Sequence, residues 1–263
     1  MKILLTNDDG ITAPGIAALY DAIASLGEVF VVAPAGVQSA MSHGITFHKP
    51  LMTREVQVNA RMRGISVEGT PADCVKLGLR TIWVERFGAD SRPDLVISGM
   101  NGGANVGINV IYSGTVAAAI EAAFLGVPAI AVSLHLGGSA AIEWVRAAQI
   151  ARHAIDCVIA HPLDAHRVIS INVPRTEGTT GPMPPIRVVR MNTAAGIDRH
   201  ERRESPEGHA YYWPCGNGMD FFHTAQGSDV EALAERNITI TPLWYDLTDD
   251  ASLSAWQERL HGQ

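Results

Sequence analysis

Apolar residues in the first two-thirds of the chain alternate between two textures. Short continuous runs at Ile3-Leu4-Leu5, Val29 to Ala33, Leu95-Val96-Ile97, Ala129 to Val132 and Val168 to Val173 have the length and β-branched content of buried strands. Between them, apolar positions recur at helical spacing. Ile16, Leu19, Tyr20, Ile23 and Leu26 predict a helix over 15–26, and similar patterns predict helices over 115–125 and about 139–159. Gly126 and Pro128 supply the stop for the second of these. Thr70-Pro71-Ala72-Asp73 reads as a further helix start, with a Thr cap, Pro in the first turn and an acid three residues after the cap. Asp73 is therefore structural on this reading. Continuous apolar strands separated by helices predict an α/β fold, a Rossmann-like three-layer domain with a mainly parallel sheet covered on both faces.

The texture changes after residue 175. Residues 176–185 are rich in Gly, Thr and Pro and read as a loop, and 187–191 reads as a strand. Residues 192–222 read as irregular, with Arg199, Arg202 and Arg203 followed by Tyr211, Tyr212 and Trp213. A helix over 229–235, a strand over 238–240 and a last amphipathic helix follow. The expected organisation is a core over 1–175 and a C-terminal extension over 176–263 within one continuous domain, the extension carrying an arm used in oligomerisation.

Composition narrows the function classes. Of 263 residues, 47% are hydrophobic and 18% charged, enough for a full-sized core and incompatible with a disordered chain. A net charge of −7 argues against binding a nucleic-acid duplex or an anionic membrane, both of which need a broad basic face. Three widely spaced cysteines without a CxxC predict reduced thiols and a cytoplasmic protein. The apolar run after Met1-Lys2 is too short for a leader, and 116–136 is interrupted by Glu121, Gly126 and Pro128, so neither a targeting segment nor a membrane span is expected.

In a parallel α/β sheet, ligands bind beyond the carboxyl ends of the strands. Thr6-Asn7-Asp8-Asp9-Gly10 follows the first strand directly, and its adjacent carboxylates repel each other unless a cation sits between them. Pro34 to Ser42, with Ser39 and Ser42, follows the second strand. Ser98 to Gly107 follows the third, with four glycines and the amide side chains of Asn101 and Asn105. It matches neither GxGxxG nor a P-loop. Tyr112-Ser113-Gly114-Thr115 opens a helix whose free amides and two hydroxyls form an anion pocket, although ordinary capping explains Ser113 or Thr115 singly. Carboxylates, a hydroxyl and an amide oxygen make a hard all-oxygen ligand set, suited to Mg²⁺ or Mn²⁺ rather than zinc. His43 and His48 lie near this face and read as ordinary histidines.

The blocks ILLTNDDGITAPGI, VVAPAGVQSAMSHGIT, EGTPADCVKLGL, PDLVISGMNGGANVGINVIYSGTVAAAIEAAFLGVPAIAVS and DVEALAERNITITPL resemble the successive motifs of the SurE family, stationary-phase survival proteins that act as 5′/3′-nucleotidases. The resemblance spans roughly 2–133 and returns near 229–243. It implies a divalent-metal-dependent hydrolase of nucleoside monophosphates, cytoplasmic, and a homodimer or homotetramer. By the same resemblance the metal ligands fall on Asp8, Asp9, Ser39 and Asn101; from the chemistry of that ligand set, Asp8 or Asp9 is also the candidate acceptor of the proton from the attacking water. The phosphate contacts fall on Ser113, Gly114 and Thr115, with Asn105 in the matching loop. Ala40 stands where the family usually has Gly, Asn237 replaces another customary Gly, and 174–225, which forms exchanged arms in the family, follows its pattern little. Two other enzyme classes fit less well. A haloacid-dehalogenase-like phosphatase spaces its aspartates as DxD, and a zinc deacetylase needs a His where Thr6 and Asn7 stand. A sensing module that binds a nucleotide or metal without turnover is the non-enzyme alternative.

Overall fold

The computed structural model describes residues 1–137, 141–176, 180–197, 199–216 and 218–261. The N-terminal part builds strands β1 (Lys2–Thr6), β2 (Glu28–Pro34), β3 (Thr53–Gln57), β4 (Arg63–Val67), β5 (Leu95–Gly102), β6 (Ala129–Leu134) and β7 (Val168–Val173). Helices α1 (Pro14–Ile23), α2 (Pro71–Leu77), α3 (Trp83–Phe87), α4 (Gly114–Phe124) and α5 (Trp144–Ile159) lie between them. The remainder adds β8 (Ile186–Val188), β9 (Arg199–Glu204), β10 (Ala210–Cys215), α6 (Asp229–Ala234), β11 (Ile238–Leu243) and α7 (Asp250–His261).

One nine-stranded sheet runs β3-β4-β2-β1-β5-β6-β7-β11-β8. Strands β4, β2, β1, β5, β6 and β7 are parallel, β3 pairs antiparallel with β4, and β11 pairs antiparallel with β7 and parallel with β8. β1 lies between β2 and β5, so the strand order reverses beside it, which marks the crevice at the carboxyl ends of β1 and β5 as the expected ligand position. Because β8 and β11 join this sheet, the segment after residue 175 completes the core rather than standing apart from it.

The two faces are covered as the apolar runs require. Ile16, Leu19 and Ile23 of α1 and Ala147, Ala151 and Ile155 of α5 pack on one side. Cys74 and Val75 of α2 and Val116, Ala119 and Ala123 of α4 pack on the other, together with Trp83. α1 comes close to the sheet at Gly15, where a Cβ would lie 2.1 Å from the Met100 carbonyl oxygen.

Several boundaries differ from the sequence-based expectation. α5 begins at Trp144 rather than near 139, and residues 138–140 lie outside the described set. The first helix keeps α geometry to Ile23 and tightens into a 3₁₀ turn over Ala24–Leu26. In the expected 176–185 loop, residues 177–179 also lie outside the described set. The 187–191 strand shortens to β8. Residues 192–222 are not irregular throughout, because β9 and β10 form an antiparallel hairpin with Tyr211 opposite Arg203 and Trp213 opposite Glu201. Before β11, Arg236 takes a left-handed backbone, with φ of +67°. No helix among the described residues is long and apolar enough to cross a membrane.

Candidate active site

The last buried residues of β1 lead straight into Asp8 and Asp9. The turn is held by Asn7, whose side-chain N–H₂ donates to the Gly10 carbonyl at 2.9 Å. Asp8 is buried and Asp9 partly exposed. The Thr115 hydroxyl donates to Oδ1 of Asp8 across 2.5 Å. Asp9 Oδ2 accepts from the Gly102 amide at 2.9 Å, which draws it to the end of β5. Burial, with a smaller contribution from the charge of Asp9, pushes the Asp8 carboxyl up to about 6 against the opposing hydrogen bond from Thr115.

The β5 side is shaped by a register irregularity between Ser98 and Asn101, where the strand pairs with β6. Asn101 spends its side-chain N–H₂ on the Gly103 carbonyl at 2.7 Å, which leaves its Oδ1 as the donor atom that could meet a cation. Asn105 is fixed from two sides. Its amide donates to Asn172 Oδ1 at 2.8 Å, and its side-chain N–H₂ donates to the Ser133 hydroxyl at 2.8 Å. Both partners sit near the carboxyl ends of their strands, so one polar network ties the loop to β6 and β7.

On the β2 side, the Gln38 amide donates to the Asp8 carbonyl at 2.7 Å and brings the neighbouring Ser39 to this crevice. Ser39 is exposed, and Ala40 keeps a left-handed backbone, φ +57°, although it carries a Cβ. The loop continues to Ser42, whose hydroxyl donates to the Ile111 carbonyl at 2.7 Å. His43 Nε2 then donates to Glu121 Oε2 at 2.8 Å, while Lys76 Nζ lies 3.3 Å from Oε1 as an ion pair without hydrogen-bond alignment. Burial raises the Glu121 carboxyl, but the His43 hydrogen bond and the Lys76 charge outweigh it and hold the group below its ordinary value. This cluster clamps the Ser39 loop to α2 and α4.

The start of α4 faces Asp8. Ser113 caps it, accepting from the Val116 amide at 3.0 Å, so its oxygen is engaged while its proton is free to donate. Gly114 packs against the carboxylate, since a Cβ there would lie 2.9 Å from Asp8 Cβ. Thr115 directs its hydroxyl at Asp8, which makes it a support of that carboxylate. Replacing Ser113 or Asn105 by alanine is expected to lower turnover roughly tenfold to a thousandfold if each removes a hydrogen bond to the reacting phosphate. Metal affinity, measured by calorimetry, should change little. A loss of metal binding equal to that of an Asp8 variant would move these residues into the metal shell. Ser113→Ala also loses a helix cap, worth about 1 kcal/mol, visible separately in thermal melts.

The donors fit a hard divalent cation. Two adjacent carboxylates, one of them buried, lie on a turn whose backbone and side-chain bonds reach the residues next to Asn101 and Ser39, an amide oxygen and an exposed hydroxyl. Among the described residues no three His, Cys, Asp or Glu groups gather, so a cation held here would need neutral oxygens to complete its shell.

Three features were not visible as functional in the sequence. Asp73 behaves as expected, completing a capping box with Thr70, but its carboxylate also accepts from the Thr46 amide and hydroxyl at 2.9 and 2.6 Å. Glu121 sits alone as an acid in the apolar α4, and its partners His43 and Lys76 come from elsewhere in the chain. Asp229, almost fully buried, accepts from the amides of Gly107, Asn192 and Val230 at 2.8, 2.9 and 2.9 Å. Its only local signal was Ser228 ahead of Glu231, a helix start.

Known proteins resemble this chain along its full length. The family model described as Survival protein SurE matches residues 3–196. The chain is 42% identical to the 5′-nucleotidase SurE of Carboxydothermus hydrogenoformans, covering 100% of this chain and 98% of that protein. It is 43% identical to the 5′-nucleotidase SurE of Rhodopirellula baltica, covering 98% of each. The crystal structure of the SurE protein from Aquifex aeolicus superposes with a TM-score of 0.81 at 34% identity, over 99% of this chain and 100% of that one. With a family model over most of the chain and relatives more than 40% identical along its full length, the chain belongs to the SurE family.

Proposed function

We propose that this protein is a phosphomonoesterase that hydrolyses nucleoside 5′-monophosphates to nucleoside and phosphate, with 3′-monophosphates as further substrates, and that it depends on one Mg²⁺ or Mn²⁺ per subunit. The observation that carries this reading is the meeting of Asp8 and Asp9 with the N-terminus of α4 at the switch point of the sheet. The names of its full-length relatives supply the substrate class.

Asp8, Asp9, Ser39 and Asn101 would hold the cation. Such an ion supplies Lewis-acid activation of water and neutralises phosphate charge. Thr115 and Gly114 hold Asp8 in place, and Gly102 holds Asp9. The Ser113 hydroxyl, the Gly114 amide at the α4 start and Asn105 would bind the phosphoryl oxygens as charge builds on them. One of the two aspartates accepts the proton released by the attacking water. The test is phosphate release from AMP, GMP and a chromogenic phosphate ester, with and without EDTA. Release that EDTA stops and Mn²⁺ or Mg²⁺ restores is expected. Nucleotide binding without release, or release indifferent to chelation, would overturn the reading.

The same reading includes a homodimer or homotetramer in the cytoplasm. All of β9 and nearly all of β10 are exposed, and a lone two-stranded hairpin is marginal in water. Tyr211, Tyr212 and Trp213 are 42%, 60% and 53% exposed, which a neighbouring subunit would relieve. The free thiols of Cys74, Cys157 and Cys215 accord with a reducing compartment. Deleting residues 199–213 is expected to lower the mass seen by light scattering and to raise KM for nucleotides more than for a small phosphate ester. A monomeric, fully active wild-type protein would contradict this.

A further inference from the structure

A cavity of about 440 Å³ opens beside the metal-site loop, within the size range of small-molecule sites. Its lining brackets Ser39, with Gln38 on one side and Met41 on the other, and continues to Ile45, Lys49, Val67 and Glu68. Gln38 is the residue whose amide bonds the Asp8 carbonyl, so the cavity and the carboxylate pair share one stretch of backbone. A larger cavity of about 700 Å³, lined by Tyr20, Arg61 and Gly64 among others, lies at the amino ends of β2 and β4, the opposite end of the sheet, and cannot share a substrate with Asp8.

The walls are fixed in advance. The Thr46 amide and hydroxyl both bond Asp73, the Thr70 hydroxyl donates to the Gly44 carbonyl at 2.7 Å, and the Ala35 amide donates to the Val67 carbonyl at 2.8 Å. The capping box of α2 thus anchors the loop that carries Ser39 as well as closing a helix. A pre-formed cleft lowers the ordering cost of binding. Met41 and Ile45 give it an apolar platform, while Lys49 and Glu68 bring opposite charges to its rim. Glu68 has only a loose pairing with Arg54, at 3.6 Å between exposed side chains, so its carboxylate is available.

We propose that this cavity holds the nucleoside half of the substrate, with Glu68 accepting from the ribose hydroxyls and Lys49 donating to the acceptor edge of the base. This rests on the nucleotidase reading above and extends it from the phosphate to the leaving group. An acidic side chain on a ribose diol and a donor on purine acceptors are both established recognition chemistry.

The experiment compares wild type, Lys49→Ala and Glu68→Gln, using inhibition by adenosine and by inorganic phosphate, and the ratio of kcat/KM for AMP to that for p-nitrophenyl phosphate. Both side chains are exposed, so both variants should fold, which circular dichroism checks. The inhibition constant for adenosine is expected to rise roughly three- to thirtyfold in each variant, while that for phosphate moves less than about twofold. The AMP preference should fall by a similar factor, through KM. Equal shifts for adenosine and phosphate, or no shift in either, in a protein whose wild type hydrolyses AMP, would overturn the assignment alone. A wild type that releases no phosphate from AMP would overturn the nucleotidase reading and this inference with it.

Discussion

Asp8→Asn is expected to abolish most turnover, by at least about a hundredfold, and at the same time to stabilise the metal-free protein. Both effects have one origin. Burial, aided by the neighbouring charge of Asp9, raises the Asp8 carboxyl from 3.8 to about 6 in the folded chain. The folded protein therefore keeps this proton to a higher pH than the unfolded chain does. Stability is gained at acid pH and lost as pH rises through the window from 3.8 to about 6. At neutral pH the lost stability is on the order of 3 kcal/mol. Asparagine keeps the shape and can still accept from the Thr115 hydroxyl, but carries no charge to desolvate. In EDTA its Tm should exceed that of wild type at pH 7, and the gap should close below about pH 4. Added Mn²⁺ should raise the wild-type Tm more than the variant's, because a ligand bound only by the folded state stabilises it. Asp9→Asn shares the loss of turnover. Near-full turnover of either variant at saturating Mg²⁺ or Mn²⁺ would refute the metal-site assignment, and an unchanged Tm at pH 7 would refute the electrostatic account of Asp8.

The parts of this molecule that are legible in the sequence are those where one local signal suffices. Ile3-Leu4-Leu5 followed at once by Asp8 and Asp9 gives a buried strand and the chemistry at its end, and Thr70-Pro71-Ala72-Asp73 announces α2 with its capping box. β3 and β4 are harder to see. TREVQ is an exposed edge strand with no apolar face, and RGISV carries Gly64, where a Cβ would lie 2.6 Å from Val31 Cβ. The hairpin of β9 and β10 escapes the same way, because RHERRE buries nothing in its own chain and alternation has no buried face to report. Glu121 and Asp229 stay hidden for a different reason. Their partners, His43 and Lys76 in one case and Gly107 and Asn192 in the other, are distant in sequence, and only the fold brings them together.

Asp229 carries the second large expected effect, in the direction opposite to Asp8. Its carboxylate is 2% exposed and accepts three backbone amides, from Gly107, Asn192 and Val230. Asp229→Ala leaves those donors without an acceptor in a site that water reaches poorly, a loss of roughly 3–5 kcal/mol. The damage also reaches the active site. Gly107 closes the loop that begins at Asn101 and contains Asn105, and its left-handed backbone, φ +59°, is held by this bond. Asn192 in turn binds the His223 carbonyl and the Ala225 amide, so the base of the β9–β10 hairpin depends on the same carboxylate. A drop in kcat of about tenfold or more is therefore expected in the fraction that folds, since an ångström of misplacement at Asn105 is costly. Asp229→Asn separates charge from connectivity. Burial already raises the Asp229 carboxyl above its ordinary value, so a neutral side chain avoids that desolvation, and its one carbonyl oxygen still accepts amides. Its Nδ2 replaces one acceptor with a donor, so it should fall between wild type and alanine in both urea stability and kcat. Wild-type stability in Asp229→Ala would show that the three amides find other partners, and wild-type kcat in a destabilised Asp229→Ala would show that Asn105 is held by Ser133 and Asn172 without help from α6.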